Sequence, residues 1–325
     1  MPSSRLNSES VSSPRTMRSI CSRLNCGENT RRLPGASLYE PRVAPRALAH
    51  VPAGPAGTRT VPTDALTVIA VSALAFIASN VLHEGLGHGG ACLLVGGKPL
   101  SLTAVYFDND SAGLSDLQSR FIAAGGPIVN LITGLAGLIT LRGMRGVPGP
   151  GRYLVWLVTT LGLFMATGYL LFSGVGGIGD LAIVTKGLHP AWLWRVLLAL
   201  AGAALYLLSA IIAAAEFGRI AGPPSEALVA RARRIALISY LTGAVVLCVA
   251  GILNPQGFIF VLISAGASTL GGASGLLWMM QMLRGPRFSR PDSAELALPR
   301  KWGWIVTAAV VLLVYVVALG PGIQF

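Results

Sequence analysis

Residues 65–97 read ALTVIAVSALAFIASNVLHEGLGHGGACLLVGG. The first eighteen of them carry no charge, and an uninterrupted apolar run of that length is what a helix needs to cross a bilayer core. Asp64 stands immediately before the run, where a short acidic side chain caps a helix. The far end is different: HEGLGH (83–88) puts two His and a Glu into six residues of an otherwise apolar segment. At 1.5 Å per residue His83 lies about 28 Å beyond Asp64, so this polar cluster sits one membrane thickness from the start of the helix.

The rest of the chain repeats the apolar theme. Of 325 residues, 53% are hydrophobic and 12% charged, about half the charged share of a soluble domain. Apolar runs predict spans near 65–95, 121–141, 152–175, 192–218, 235–253, 258–283 and 303–320, an all-α polytopic membrane protein with about seven transmembrane helices. Residues 1–61, rich in Ser, Arg and Pro, read as a disordered basic tail before a transmembrane domain at 62–325. Within that domain the chemistry-bearing stretches occupy about 65–185, and further helices follow at 192–325. The tail's Arg and Ser excess also fits an organelle transit peptide, with an untargeted cytoplasmic tail as the plain alternative.

Of the 25 Lys and Arg, 21 fall in the tail and in alternate loops, which predicts a cytoplasmic N-terminus. The expected location is a bacterial inner membrane, or else an organelle membrane. The net charge of +12 does not point to nucleic acid, because these residues lie in tails and loops rather than on one helix face. The lipid bilayer is the expected surrounding partner. Four Cys without a C-x-x-C pair argue against a disulfide framework or a thiolate metal site, and Cys92 and Cys248 are expected to be small buried residues.

Ionisable groups inside membrane spans are costly, which makes each one a functional candidate. Among the acidic and His residues, those within or against the spans are His83, Glu84, His88, Asp180 and Glu216. Two imidazoles four residues apart differ by about 40° around a helix and can share one ion. His83 and His88 are five apart and diverge by about 140° on an ideal helix. A π-bulge, with one extra residue in the turn, realigns them, and Gly85 and Gly87 make backbone distortion there cheap. Glu84 then stands beside the metal as a general base. The other pairing is Glu84 with His88, at i and i+4 on an undistorted helix.

Catalytic zinc takes three protein ligands and keeps a fourth position open. Alternating span directions bring AGGPIVN (124–130) and GGIGD (176–180) to the depth of His83, so Asp180 is the expected third ligand. The glycines around it let the backbone unwind at the end of a span. His189 is a reserve ligand on the same side. Glu216 falls at the opposite end of its span and is expected to pair with Arg219. In AAGGPIVNLITGLAG (123–137), Pro127 and the glycines are expected to open the helix, and Asn130 offers an amide that can donate to a substrate carbonyl. That small-residue run also reads as an ordinary helix-packing surface.

HEGLGHGGACLLVGG, then AGGPIVN, then an Asp beyond a glycine-rich turn, resembles the site-2 protease family (M50) of intramembrane zinc metallopeptidases, over about 65–185. The resemblance implies a three-helix core with His83, His88 and Asp180 as zinc ligands, Glu84 as base and Asn130 as a substrate-side amide. Two features differ from the family pattern: the His spacing is H-E-x-x-x-H, and Gly179-Asp180-Leu181 lacks the Gly that usually follows the Asp. The longer spacing is similar to that of dipeptidyl peptidase III, a soluble zinc peptidase. Residues 98–113, KPLSLTAVYFDNDSAG, alternate and end in a turn signal, so they are expected to form a hairpin whose edge can pair an extended substrate.

The expected function is zinc-dependent hydrolysis of a peptide bond in a membrane-embedded protein or peptide. The alternative is a non-catalytic metal-binding or regulatory membrane protein with the same fold. A membrane diiron oxidase, the other user of H-E-x-x-x-H boxes, needs about eight His, and only two lie in these spans.

Overall fold

The computed structural model describes residues 62–146, 148–254, 266, 271–285, 287–288 and 294–325. The expected tail at 1–61 and residues 258–265 and 267–270 of the expected span at 258–283 lie outside the described residues. Among those described, six helices are long and apolar enough to cross a membrane. They cover Ala65–Leu94, Asp116–Gly143, Pro150–Gly176, Ala191–Gly218, Glu226–Ile252 and Trp302–Leu319. The chain is therefore mostly helical and fits a multi-pass membrane protein. The described end of the expected 258–283 span is short helical turns over Gly272–Ser274, Gly275–Trp278 and Met279–Arg284 rather than a long helix.

The first helix, α1, runs Ala65–Val81 and passes through a π-helical segment, Leu82–Gly89, into α2 (Gly90–Leu94). Asp64 caps it, accepting from Thr67 N at 3.0 Å, while Arg300 holds its other carboxylate oxygen at 3.0 and 3.1 Å. The hydrogen-bonded Arg300 guanidinium holds the Asp64 carboxyl below the usual carboxylate range. An antiparallel hairpin follows, β1 (Lys98–Leu102) with β2 (Phe107–Asp110), as the alternating sequence predicts. Strand β3 (Ile323–Gln324), near the end of the chain, pairs with the other side of β1, so the sheet order is β2-β1-β3. Among the described residues, strand β2 is thus an edge. The hairpin's turn is tied down beneath: the carbonyl of Ala104 accepts from Tyr315 OH at 2.7 Å and from the Asn80 amide.

Helix α3 (Asp116–Gly143) starts at a Ser115–Gln118 capping box and runs on through Pro127 without a break. The opening expected at Pro127 does not occur. Helices α4 (Pro150–Gly176), α5 (Asp180–Thr185), α6 (Ala191–Gly218) and α7 (Glu226–Ile252) complete the part that positions the site. Between apolar helices in lipid there is little hydrophobic driving force, so polar ties and close packing carry more of the association. Trp156 Nε1 on α4 donates to the Ala213 carbonyl on α6 at 3.0 Å. Ser239 on α7 bonds Ser72 of α1 at 2.7 Å and the Tyr153 hydroxyl of α4 at 2.6 Å, joining three helices at one buried oxygen.

Ser239→Ala removes the oxygen that joins the three helices and leaves the fully buried Tyr153 hydroxyl with Ser72 alone. Each of the two lost hydrogen bonds contributes about 0.5–1.5 kcal/mol, so thermal unfolding in detergent should show a clear fall in Tm. An unchanged Tm would show that this junction carries no stability. Glu216 is buried and pairs with Arg219 at 3.4 Å and Arg142 at 3.7 Å, the structural role expected for it. Cys92 is fully buried and Cys248 partly so.

Candidate metal centre

The backbone at HEGLGH answers the spacing problem. Residues Leu82–Gly89 are π-helical, and the extra residue per turn rotates His88 back under His83. The two rings meet edge to face with centroids 4.8 Å apart, and Nε2 to Nε2 is 3.3 Å. Glu84 is buried and faces the same cavity, but it is not one of the converging ligand atoms.

Asp180 arrives from the other side. Helix α4 ends at Gly176, and Gly177 (φ 68°) and Gly179 (φ 86°) take the left-handed backbone that glycine allows at little cost. That turn places Asp180 first in α5, with Oδ2 at 3.4 Å from His83 Nε2 and 3.5 Å from His88 Nε2. Oδ2 is buried and has no hydrogen-bond partner among the described residues. His83, His88 and Asp180 form a group that could hold a metal ion. His189, the reserve ligand, is exposed and stands outside it.

The spacing of the three atoms tests the fit. Zinc bonds to His nitrogen and carboxylate oxygen are about 2.0–2.1 Å, which makes the edge of a tetrahedron about 3.3–3.4 Å. The observed edges are 3.3, 3.4 and 3.5 Å. The triangle has the dimensions of one face of such a tetrahedron, so an ion held by the three atoms would keep a fourth position for another ligand. The ring nitrogens are sorted in the same sense. His88 Nδ1 lies 2.8 Å from the Ile122 carbonyl, which only accepts, so Nδ1 carries a proton. Nε2 is then the ring atom turned toward Asp180 Oδ2, 3.5 Å away.

Helix α3 supplies the wall. Its GG step packs backbone to backbone on the π-helical segment. A Cβ on Gly87 would lie 2.6 Å from the Gly126 Cα, and a Cβ on Gly126 would lie 2.6 Å from His88 Nε2 and 2.7 Å from His83 Nε2. The glycines that matter are chosen for close approach. Neither Gly85 nor Gly87 has a positive φ, so the conformational freedom expected of them is not what the segment uses. Tyr169 of α4 stacks on His83 with centroids 5.0 Å apart, a neighbour that the sequence did not flag.

Asn130 is buried and does not line the cavity; its amide lies 2.8 Å from His83 Nδ1. The structure thus places it against the His83 nitrogen remote from the converging ligand atoms.

The centre opens on a cavity of about 520 Å³. Its lining includes Glu84, Tyr106, Phe107, Asp108, Asn109 and Phe172, so the edge strand β2 forms one wall. A second, apolar cavity of about 650 Å³ shares Tyr169 and Phe172 with it. Comparisons of the chain with protein-family models, with curated proteins and with solved structures find no match.

Proposed function

We propose that this chain is a zinc-dependent intramembrane peptidase with a three-helix core like that of site-2 proteases. The observation that carries the reading is the triangle of His83 Nε2, His88 Nε2 and Asp180 Oδ2, with its tetrahedral edge lengths, beside the buried Glu84. Zinc suits two imidazoles and one carboxylate with a corner left open. A zinc ion held there would supply Lewis acidity to a water and to a substrate carbonyl.

The chain's own residues do the rest. An extended substrate segment pairs with the free edge of β2, which lays its backbone along the cavity wall. Glu84 accepts a proton from the attacking water on its carboxylate. As the C–N bond breaks, it returns that proton to the leaving amide nitrogen. The neighbouring apolar cavity offers room for apolar side chains of a membrane-embedded substrate.

The test uses the full chain purified in detergent and reconstituted in lipid vesicles. Zinc content is measured for the wild type, His88→Ala and Asp180→Ala, together with cleavage of a panel of single-span peptides carrying Gly-Pro segments. The expected result is one zinc per wild-type chain and cleavage of panel members. Both variants should lose zinc affinity by more than the roughly 10–100-fold that removing an outer partner of a ligand costs. Stoichiometric zinc with no cleavage across the panel would overturn the peptidase and favour a metal-binding regulatory protein. Full zinc affinity in Asp180→Ala would remove Asp180 as the third ligand.

A further inference from the structure

Helix α3 meets the two imidazoles along a single stripe. Ile122, Gly126 and Asn130 are spaced i, i+4, i+8 and so lie on one helix face. The Ile122 carbonyl holds His88 Nδ1 at 2.8 Å, and Asn130 meets His83 Nδ1 at 2.8 Å. Between them Gly126 leaves the space in which the Nε2 atoms converge. The stripe thus grips the outer nitrogen of each ring.

We infer that Asn130 is a positioning residue for the metal ligand His83: its side-chain oxygen accepts the His83 Nδ1 proton and so presents the Nε2 lone pair to the ion. The inference rests on the metal-site reading above. An amide presents either its oxygen or its nitrogen to a neighbour, and heavy-atom positions do not distinguish the two. The chemistry of the centre does. With the nitrogen toward His83, Nδ1 accepts and the proton moves to Nε2, where it points at His88 and the Asp180 carboxylate and blocks ligation. With the oxygen toward His83, both rings carry their protons on Nδ1 and both Nε2 lone pairs face the centre. Histidine ligands of metals are commonly held this way, by an acceptor at the nitrogen remote from the metal. Asn130 is 1% exposed and stands outside the cavity lining, so it acts on the ligand and does not touch the substrate.

The test compares zinc dissociation constants of the full-length wild type, Asn130→Ala and Asn130→Asp, with peptide cleavage measured at saturating zinc. Asn130→Ala should bind zinc about 10–100-fold more weakly. Asn130→Asp should bind at least as tightly as the wild type, because a carboxylate only accepts and enforces the same tautomer. At saturating zinc the KM of the peptide should stay within about twofold of wild type, as expected for interactions outside the substrate site. Wild-type zinc affinity in Asn130→Ala, above all with a raised KM, would overturn the inference and return Asn130 to the substrate side. Zinc binding weakened in Asn130→Asp would overturn it too, and that arm stands even if the alanine variant does not fold. A wild type that binds zinc and cleaves nothing would defeat the peptidase and leave the role of Asn130 intact.

Discussion

Gly126→Ala is expected to abolish metal binding, while Gly85→Ala and Gly90→Ala keep it. The reason is distance. A methyl on Gly126 would sit 2.5 Å from His83 Cε1 and 2.6 Å from His88 Nε2, inside the space that the ligand atoms share. Neither ring can yield, because each is tied by its other nitrogen to α3 itself. Gly85 and Gly90 are each two residues from a ligand in sequence, yet a methyl on either meets only a leucine methyl group at 3.7 Å. Gly87→Ala should behave like Gly126→Ala, since its methyl would strike α3 backbone. Zinc titration of the four variants checks the pattern: a loss of more than about 100-fold for Gly126 and Gly87, beyond the range for losing an outer contact, and near wild-type affinity for the other two. Circular dichroism in the same detergent separates local loss from unfolding. Equal zinc affinity in Gly126→Ala and Gly90→Ala would mean that the triangle is not the metal site.

Glu84→Gln is expected to keep zinc and lose cleavage. The substitution preserves size and removes only the ability to take a proton at neutral pH. Glu84 is buried at the cavity wall but is not one of the converging ligand atoms, so the metal should remain at wild-type stoichiometry. A positioned general base contributes about 10²–10⁴-fold to rate, and the fall in turnover should lie in that range. Turnover is read from peptide cleavage in vesicles and zinc content from the same preparation. Loss of zinc in Glu84→Gln would instead support the pairing of Glu84 with His88 as ligands. Turnover within threefold of wild type would remove Glu84 as the base.

Much of the architecture is legible in composition and periodicity. Long apolar runs leave a helix little choice in lipid, since every backbone polar group must be satisfied within the segment. That is why the expected spans match five of the six long described helices to within five residues at each end; the exception is α7, which starts earlier, at Glu226. There the polar, arginine-bearing first turns extend the helix beyond its apolar run. The described residues at 271–285 depart from the expected long span, and apolarity alone does not foretell short helical turns.

The candidate site divides along the same line. The residue types are legible because ionisable groups are rare in apolar spans, so His83, Glu84, His88 and Asp180 stand out. The geometry is not. Counting shows that His83 and His88 diverge on an α-helix, and sequence leaves two outcomes open: a bulge, or a straight helix pairing Glu84 with His88. Contact with α3 decides between them, because the π-helical turn aims both rings at the Gly126 gap, and that gap exists only where two backbones touch. The same contact turns Asn130 toward a ring nitrogen and makes Gly87 and Gly126 irreplaceable while Gly85 is not. Sequence by itself determined a membrane-embedded helical chain with one scarce polar cluster. Which of those groups meet, and through which atoms, was decided by helix-to-helix packing at close range, where a single Cβ is large enough to forbid the arrangement.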